Sequence, residues 1–140
     1  MLFDLKSFLG KTQNYYLTPV ELNNFIDFEV KRIYYINQII ADNVFTGAHC
    51  HHNEKEFFMV LNGSATIVLD QGNGLEEIQL VMNQGIFIDS YIWHHFKNIS
   101  NGTIILALSS TNYSPDRNDY IENYDDYLKI RDEKLLNRDK

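Results

Sequence analysis

The sequence predicts an all-β domain in which short strands form a sandwich or a barrel. Between Phe28 and Leu108, short runs rich in β-branched and aromatic residues are separated by breaks made of Asn and Gly. In two of these runs, Ala65–Leu69 and Glu77–Leu80, apolar and polar residues partly alternate, as they do in strands with one buried face. Several short strands spaced by turns favour this class over a βαβ arrangement.

The predicted strands follow one another through the middle of the chain. They are Phe28–Ile36, Glu56–Leu61, Ala65–Asp70, Glu77–Met82, Ile86–Asp89 and Thr103–Leu108. The breaks Asn62-Gly63 and Gln71–Gly74 are typical of hairpin turns, because Asn and Gly adopt positive φ at little cost. Residues 1–25 show no clear element. The segment Tyr124–Arg138 has apolar residues spaced among charges and predicts a short amphipathic helix.

Size and charge exclude several classes of protein. The chain has 140 residues, enough for one domain with a sizeable core, and 44% of them are hydrophobic. A net charge of −7 argues against nucleic-acid binding, which needs clustered Lys and Arg. We expect no signal peptide, since the N-terminus carries Asp4 and Lys6 and lacks a long apolar run, and no membrane span, since no stretch approaches the roughly 20 apolar residues required. The single cysteine, Cys50, suits a reducing compartment, so we expect a cytoplasmic protein.

The five histidines lie in two short segments, 49–52 and 94–95. Side chains two residues apart in a strand point to the same side, so His49 and His51 are predicted to project together. Glu56 follows after four intervening residues, and a Trp-His pair ends at His94. A lone histidine would be read as a half-buried wall residue. The paired histidines with a distant Trp-His favour a functional site.

These segments resemble the two sequence motifs of the cupin superfamily. The first runs from His49 to Gly63 with the spacing His-x-His-x4-Glu-x6-Gly, and the second runs from Gly85 to Asn98 without the usual proline and second glycine. Cupins are small β-barrels of the jelly-roll type. The resemblance therefore implies a single cupin domain over 1–140, with a barrel over about 17–113 and a tail and short helix over about 114–140.

Two chemistries remain open at this cluster. In a metal-dependent cupin, His49, His51, Glu56 and His94 would supply three imidazoles and a carboxylate, a set that suits iron, manganese, nickel, copper or zinc. In a metal-free cupin, the inward-facing imidazoles act as acid and base on a bound small molecule. Histidine suits that role because its unperturbed pKa, ~6.5, lies near neutral pH.

A closer resemblance covers about residues 17–128 in chain order. The segments that carry it are FEVKRIYYI (28–36), GAHCH (47–51), LNGS with TIVLD (61–70), IWH (92–94) and the closing ALS, DYI and YD of residues 107–125. Together they are similar to the sugar-nucleotide 3,4-ketoisomerases, a WxcM-like family of cupins. The resemblance implies an isomerase that moves the ketone of dTDP-4-keto-6-deoxy-D-glucose from C4 to C3 through an enediol.

The resemblance also implies roles for individual residues. His49 matches the acid/base and His51 a partner that orients the sugar, with no metal and no other cofactor needed. The residues expected to bind substrate are Arg32, Tyr35, Trp93, His94 and Lys97. Since neighbouring tyrosines in a strand point to opposite faces, only one of Tyr34 and Tyr35 can line the cavity, and Tyr35 is assigned to it. His94 points to the dTDP-3-keto-6-deoxy-galactose product, made for 3-amino-deoxysugars of surface polysaccharide.

The sequence departs from the family at four positions. Asn14, Thr46 and Glu122 stand where the family usually has arginines, and Glu56 stands where it has glutamine. Glu56 restores the carboxylate of metal cupins, so a metal-dependent enzyme, either a dioxygenase or an epimerase, remains an alternative. Because the arginines are missing, a second alternative is a non-catalytic cupin that only binds a sugar nucleotide. The family resemblance further implies a homodimer that exchanges N-terminal strands.

Overall fold

The computed structural model describes residues 1–138, and in that part of the chain strands dominate. A 3₁₀ turn spans Leu22–Asn24, and one α-helix, α1, spans Tyr124–Leu136. The strands are β1 (Leu2–Asp4), β2 (Phe8–Leu9), β3 (Tyr16–Leu17), β4 (Arg32–Ile36), β5 (Cys50–His51), β6 (Glu56–Asn62), β7 (Ser64–Asp70), β8 (Leu75–Val81), β9 (Gln84–Ile88), β10 (Trp93–Lys97), β11 (Ile104–Ser109) and β12 (Tyr120–Ile121). The predicted all-β class with a short C-terminal helix is confirmed. The last two residues of the predicted tail, 139–140, lie outside the described residues.

Two antiparallel sheets form the body of the domain. The larger has the order β1-β9-β6-β11-β4, and the smaller has the order β10-β7-β8. The chain before β5 joins the smaller sheet, because the backbone amides of His49 and His94 each donate to the other residue's carbonyl oxygen at 3.2 and 2.9 Å. Strand β12 then pairs with β5. The bridge between His49 and His94 puts the two histidine segments side by side.

The main core lies between these sheets. Val60 and Ile105 of the larger sheet and Ile67 and Leu69 of the smaller one are buried in a single apolar cluster. Alternate residues of β6 point to the opposite face, where Phe57 packs among apolar side chains of the N-terminal segment. Strand β6 is therefore buried on both faces, which explains its unbroken apolar run.

Only one of the two predicted hairpin turns is a hairpin. Gln71–Gly74 connects β7 to β8, which pair with each other and match Asp70 with Leu75. Asn62-Gly63 instead carries the chain from the larger sheet to the smaller one, because β6 pairs with β9 and β11 whereas β7 pairs with β8 and β10. Gly63 has a φ of +79°, and a Cβ there would lie 2.3 Å from Oγ1 of Thr103. The tight inter-sheet crossing explains the glycine.

Helix α1 packs against the smaller sheet mainly through tyrosines. The side chain of Asn123 caps its first turn by accepting a hydrogen bond from the Asp126 amide at 3.0 Å. Tyr127 is fully buried, with its hydroxyl 2.9 Å from the Asp70 carbonyl oxygen, and Tyr124 donates to the Asp70 carboxylate at 2.7 Å. The predicted helix is confirmed, although it ends at Leu136 rather than at Arg138 and its apolar side chains are not gathered on one face. Among the described residues, no helix is long and apolar enough to cross a membrane.

Candidate active site

Three histidines meet at one end of the space between the sheets. His49 and His51 project to the same side, and their Nε2 atoms lie 3.1 Å apart. The ring of His94, from the neighbouring strand, lies 4.7 Å from that of His49. Cys50 points the other way and packs with Trp93 and Tyr127. Burial, together with the nearby Asp119 charge, raises the pKa of the Cys50 thiol to about 12, which leaves it neutral.

Glu56 reaches this cluster from the larger sheet. Its Oε2 atom lies 3.1 Å from Nε2 of His94 and 3.7 Å from Nε2 of His51, and its Oε1 atom accepts a hydrogen bond from the Tyr34 hydroxyl at 2.5 Å. Burial alone would raise the pKa of Glu56, but the hydrogen bond and charge of His94 outweigh it and lower that pKa to about 2. In return, the pKa of His94 is raised, although burial opposes this. The two side chains form a buried ion pair.

His49 is held in its neutral form. Burial, together with the charges of His94 and His51, lowers its pKa to about 3. Its Nδ1 atom lies 3.0 Å from the carbonyl oxygen of Gly47. A carbonyl oxygen can only accept, so Nδ1 carries the proton and Nε2 keeps its lone pair. His49 therefore presents an unprotonated ring nitrogen that can accept a proton.

Two carboxylates stand behind His51. Its Nδ1 atom lies 3.2 Å from an oxygen of Glu54 and 3.2 Å from an oxygen of Asp119, although neither contact has hydrogen-bond alignment. Asp119 is itself fixed, since it accepts hydrogen bonds from the backbone amides of Asn53 and Glu54. Burial still dominates and lowers the pKa of His51 to about 4. The carboxylates orient the ring through electrostatic contact.

A cavity of about 250 Å³ opens beside the histidines. Its inner wall includes Tyr34, His49 and His94, and its outer part includes Arg117 and Tyr120. The Tyr120 ring lies 5.0 Å from that of His49 and 4.5 Å from that of His51, so it covers the pair. A larger cavity of about 720 Å³ lies among residues 39–43 and 98–101 and includes none of the histidines. The smaller cavity is therefore the candidate active site.

The structure does not bring every predicted residue to this cavity. Tyr35 is 64% exposed on the outer face of β4, whereas Tyr34 lines the cavity, so the choice between the two tyrosines is corrected. Trp93 is buried against Tyr124 and Tyr127, which places it under helix α1. Its place one residue before His94 puts it on the opposite face of β10.

The two predicted cations are engaged elsewhere. Lys97 pairs with Glu77 near the surface of the smaller sheet. Arg32 donates to Glu54 at 2.6 Å and lies behind His51, so it supports the site from outside the cavity. His49, His51, Glu56 and His94 do come together, and their ligating atoms all lie within 4.8 Å of one another.

Four residues of the site were missed from the sequence: Glu54, Arg117, Asp119 and Tyr120. Glu54 lies within the first motif, three residues after His51, where its buried position gave no signal. Arg117 and Asp119 come from the turn before β12, and Tyr120 is the first residue of β12, more than sixty residues away from His51 in the chain. The pairing of β12 with β5 brings them to the site, and neither two-residue strand is long enough to show an alternating pattern.

Comparison with known proteins identifies relatives along most of the chain. The family model FdtA, described as WxcM-like, C-terminal, matches residues 1–132. A TDP-4-oxo-6-deoxy-alpha-D-glucose-3,4-oxoisomerase of Aneurinibacillus thermoaerophilus is 33% identical over 114 residues, covering 81% of this chain and 80% of the relative.

Solved structures of 3,4-ketoisomerases are similar to this chain over most of its length. A double mutant of the QdtA 3,4-ketoisomerase of Thermoanaerobacterium thermosaccharolyticum, in complex with TDP, superposes with a TM-score of 0.83 at 31% identity, over 97% of this chain and 96% of that one. The WlaRB TDP-quinovose 3,4-ketoisomerase of Campylobacter jejuni has a TM-score of 0.80 at 32% identity, over 92% of this chain and 96% of that one.

Proposed function

The chain belongs to the FdtA family of WxcM-like proteins, and from that membership and the site we propose that it is a sugar-nucleotide 3,4-ketoisomerase. Its proposed substrate is a TDP-linked 4-keto-6-deoxyglucose, and the reaction moves the ketone from C4 to C3. The observation that carries the proposal is the unprotonated Nε2 atom of His49 at the wall of the cavity.

The reaction needs one base and one acid close together. The C4 carbonyl acidifies the proton on C3, so Nε2 of His49 can remove it while O4 takes up a proton, which leaves an enediol. Delivery of a proton to C4 and loss of the O3 proton complete the shift, with no net change in atoms or electrons. His51, 3.1 Å from His49 but not itself among the residues that line the cavity, can exchange protons with His49.

We propose the galacto configuration for the product. The support is the position of His94, whose ring lies beside His49 and lines the same cavity. A protonated imidazole there can deliver a proton to C4 from its own side of the ring. The product then enters the synthesis of a 3-amino-deoxysugar, because a new 3-ketone is the group that an aminotransferase would accept.

Proton NMR in D₂O tests the function directly. Purified protein is incubated with TDP-4-keto-6-deoxyglucose, with and without a chelator, beside a His49→Asn variant. We expect a 3-keto sugar that carries deuterium at C4, with ring couplings that report galacto or gluco configuration. Binding of the nucleotide without exchange at C3 or C4 would indicate a non-catalytic binding protein.

The chemistry of the donor set favours a second candidate function, a metal-dependent cupin enzyme. His49, His51, His94 and Glu56 provide three nitrogens and one oxygen. Ligands at about 2.0–2.1 Å from a tetrahedral metal lie about 3.3 Å apart. Three pairs of these atoms lie 3.1, 3.1 and 3.7 Å apart, and all four lie within 4.8 Å of one another. A metal held there would act as a Lewis acid. Elemental analysis that finds about one transition metal per chain, lost together with activity, would favour this candidate.

We also propose a homodimer that exchanges β1 between subunits. Within the chain, β1 pairs with β9 and matches Asp4 with Gln84, so an exchanged strand would make the same pairing on its partner. The nearby hairpin of β2 and β3 leaves Phe8 and Tyr16 exposed, as an interface would require. A double variant, Asp4→Cys with Gln84→Cys, should then oxidise to a covalent dimer. A sedimentation mass near 16.5 kDa would contradict the dimer.

The proposed location is the cytoplasm. The support is Cys50, which is fully buried and unpaired as a thiol among the described residues and so suits a reducing compartment. Cell fractionation with an antibody to the native chain tests this location.

A further inference from the structure

Arg117 stands at the outer part of the candidate active site. Among the described residues that line this cavity, it is the one lysine or arginine. Its guanidinium carbon lies 4.0 Å from the centre of the Tyr120 ring, and that ring covers His49 and His51. The cation is therefore one aromatic ring away from the proposed acid/base.

The loop that carries Arg117 is held in a fixed shape. Asp116 accepts hydrogen bonds from the Ser114 hydroxyl at 2.6 Å and from the Asn118 amide at 3.0 Å. Arg117 has a φ of +57°, and its amide donates to the Ser114 carbonyl oxygen at 3.2 Å. Its carbonyl oxygen accepts from the Tyr120 amide at 3.0 Å. These bonds hold Arg117 and Tyr120 in one turn.

The Arg117 guanidinium donates only some of its hydrogen bonds to protein side chains. Nε and Nη2 both donate to a single oxygen, Oε1 of Glu122, at 3.1 and 2.5 Å. Arginine has five N–H donors, so donors on Nη1 and Nη2 remain for a ligand. The pair is 44% and 54% exposed, and such surface pairs contribute little to stability. Its position at the cavity therefore calls for another explanation.

The proposed substrate supplies one. Its diphosphate is joined to the reacting C3 atom only through C2, C1 and O1, so it must lie near the outer part of the same cavity. The chain carries a net charge of −7, and Arg32 and Lys97 are paired with Glu54 and Glu77. A diphosphate therefore needs a local cation, and a guanidinium fork matches phosphate oxygens.

We propose that Arg117 binds the diphosphate of the substrate and that Glu122 competes with the diphosphate for it. The inference rests on the proposed function, because it takes the ligand to be a nucleoside diphosphate sugar. In the free protein, Glu122 holds the guanidinium beside Tyr120. On binding, the diphosphate takes the free donors and shares or displaces the Glu122 contact.

The two partners should then affect binding with opposite sign. Removing the guanidinium in Arg117→Ala takes away charge-assisted hydrogen bonds, so TDP should bind about 10- to 100-fold more weakly. Glu122→Gln keeps the shape of the side chain and removes the competing charge, so TDP should bind more tightly, by about threefold to tenfold. A pair with a merely structural role would give two changes of the same sign.

Isothermal titration calorimetry with TDP, on the purified full-length chain, tests the inference. Wild type, Arg117→Ala, Glu122→Gln and the double variant are compared at low and high salt, with Lys129→Ala as control. Lys129 is an exposed cation of helix α1 paired with Asp126, outside the cavity. We expect the double variant to match Arg117→Ala. In turnover assays, Arg117→Ala should raise KM far more than it lowers kcat.

The outcomes separate this inference from the proposed function. Wild-type affinity for TDP in Arg117→Ala, or weaker binding in Glu122→Gln, overturns the role of Arg117 and leaves the isomerase in place. TDP binding that follows the expected signs without any turnover of the keto sugar supports Arg117 and overturns the isomerase. A wild-type protein that binds no TDP overturns both.

Discussion

Oε2 of Glu56 lies 3.1 Å from Nε2 of His94, and the two side chains are each only 2% exposed. Glu56 belongs to the larger sheet and His94 to the smaller one, so this ion pair bridges the two sheets next to the cavity that His94 lines. Removing one partner of such a pair leaves an uncompensated buried charge, which is costly. The Glu56 carboxylate of this pair also lies 3.7 Å from Nε2 of His51, so it supplies negative charge to the histidine cluster.

Glu56→Gln separates the two candidate functions. Glutamine keeps the shape and can still accept the Tyr34 hydrogen bond, but it removes the carboxylate that a metal would use. If the enzyme is a metal-free isomerase, we expect kcat within about tenfold of wild type, a change of about 1.4 kcal/mol in the barrier. The His94 imidazole should titrate at a lower pH, which NMR can follow. Loss of activity together with bound metal would instead establish the metal-dependent enzyme.

His49→Asn should abolish most of the proposed isomerisation. Asparagine cannot take up the C3 proton, and loss of a general base lowers the rate by about 10²–10⁴-fold. The measurement is deuterium incorporation at C4, with thermal unfolding to confirm that the variant folds. His52→Asn is the matched control, because His52 points away and contacts the Tyr91 hydroxyl at 3.2 Å. Full turnover by the His49 variant would remove His49 from the mechanism.

The adjacent tyrosines Tyr34 and Tyr35 offer a matched test of which face of β4 points into the cavity. Tyr34→Phe deletes the donor to Oε1 of Glu56 and leaves a buried carboxylate oxygen without it, so the free energy of unfolding should fall by about 1–3 kcal/mol. Tyr35→Phe, on the exposed face, should change it by less than about 0.5 kcal/mol. Urea unfolding measures both. Equal losses in the two variants would contradict the assigned orientation.

The strands with an apolar run or an alternating pattern were predictable, and β10 was not. The predicted Glu56–Leu61 and Ala65–Asp70 differ from β6 and β7 by one residue at one end, because burial imposes a pattern on them. Strand β10, WHHFK, gave no such pattern, since its side chains serve the site on one face and helix α1 on the other. Residues 1–30 pack over the outer face of the larger sheet through contacts with Phe57 and Met59. These contacts are distant in the chain, so the local sequence does not predict them.

The same division holds for the site. The paired histidines, Glu56 and His94 were found because their spacing along strands fixes which side they share. Arg117 and Tyr120 reach the cavity only because β12 pairs with β5. The choice of Tyr35 over Tyr34 failed because alternation shows that the two differ in orientation but does not show which one faces inward.

His51→Gln should flatten the dependence of stability on pH. The pKa of His51 is lowered by burial to about 4 in the folded protein, against ~6.5 in an unfolded chain. Between these values the unfolded chain binds a proton that the folded protein does not, so the free energy of unfolding rises with pH and is lost as pH falls. The contribution of one such group approaches about 1.4 kcal/mol per pH unit within this window.

Urea unfolding of wild type and His51→Gln between pH 4.5 and 7.5 measures that slope. His94, whose pKa is raised, has the opposite effect and is present in both proteins, so the difference between the two curves reports the loss of His51 and of its effect on the neighbouring His49 and Glu56. His52→Gln is the matched control, because it removes a neighbouring histidine on the other face of the strand. Parallel curves for wild type and His51→Gln would show that His51 is protonated in the folded protein, with Glu54 and Asp119 outweighing its burial.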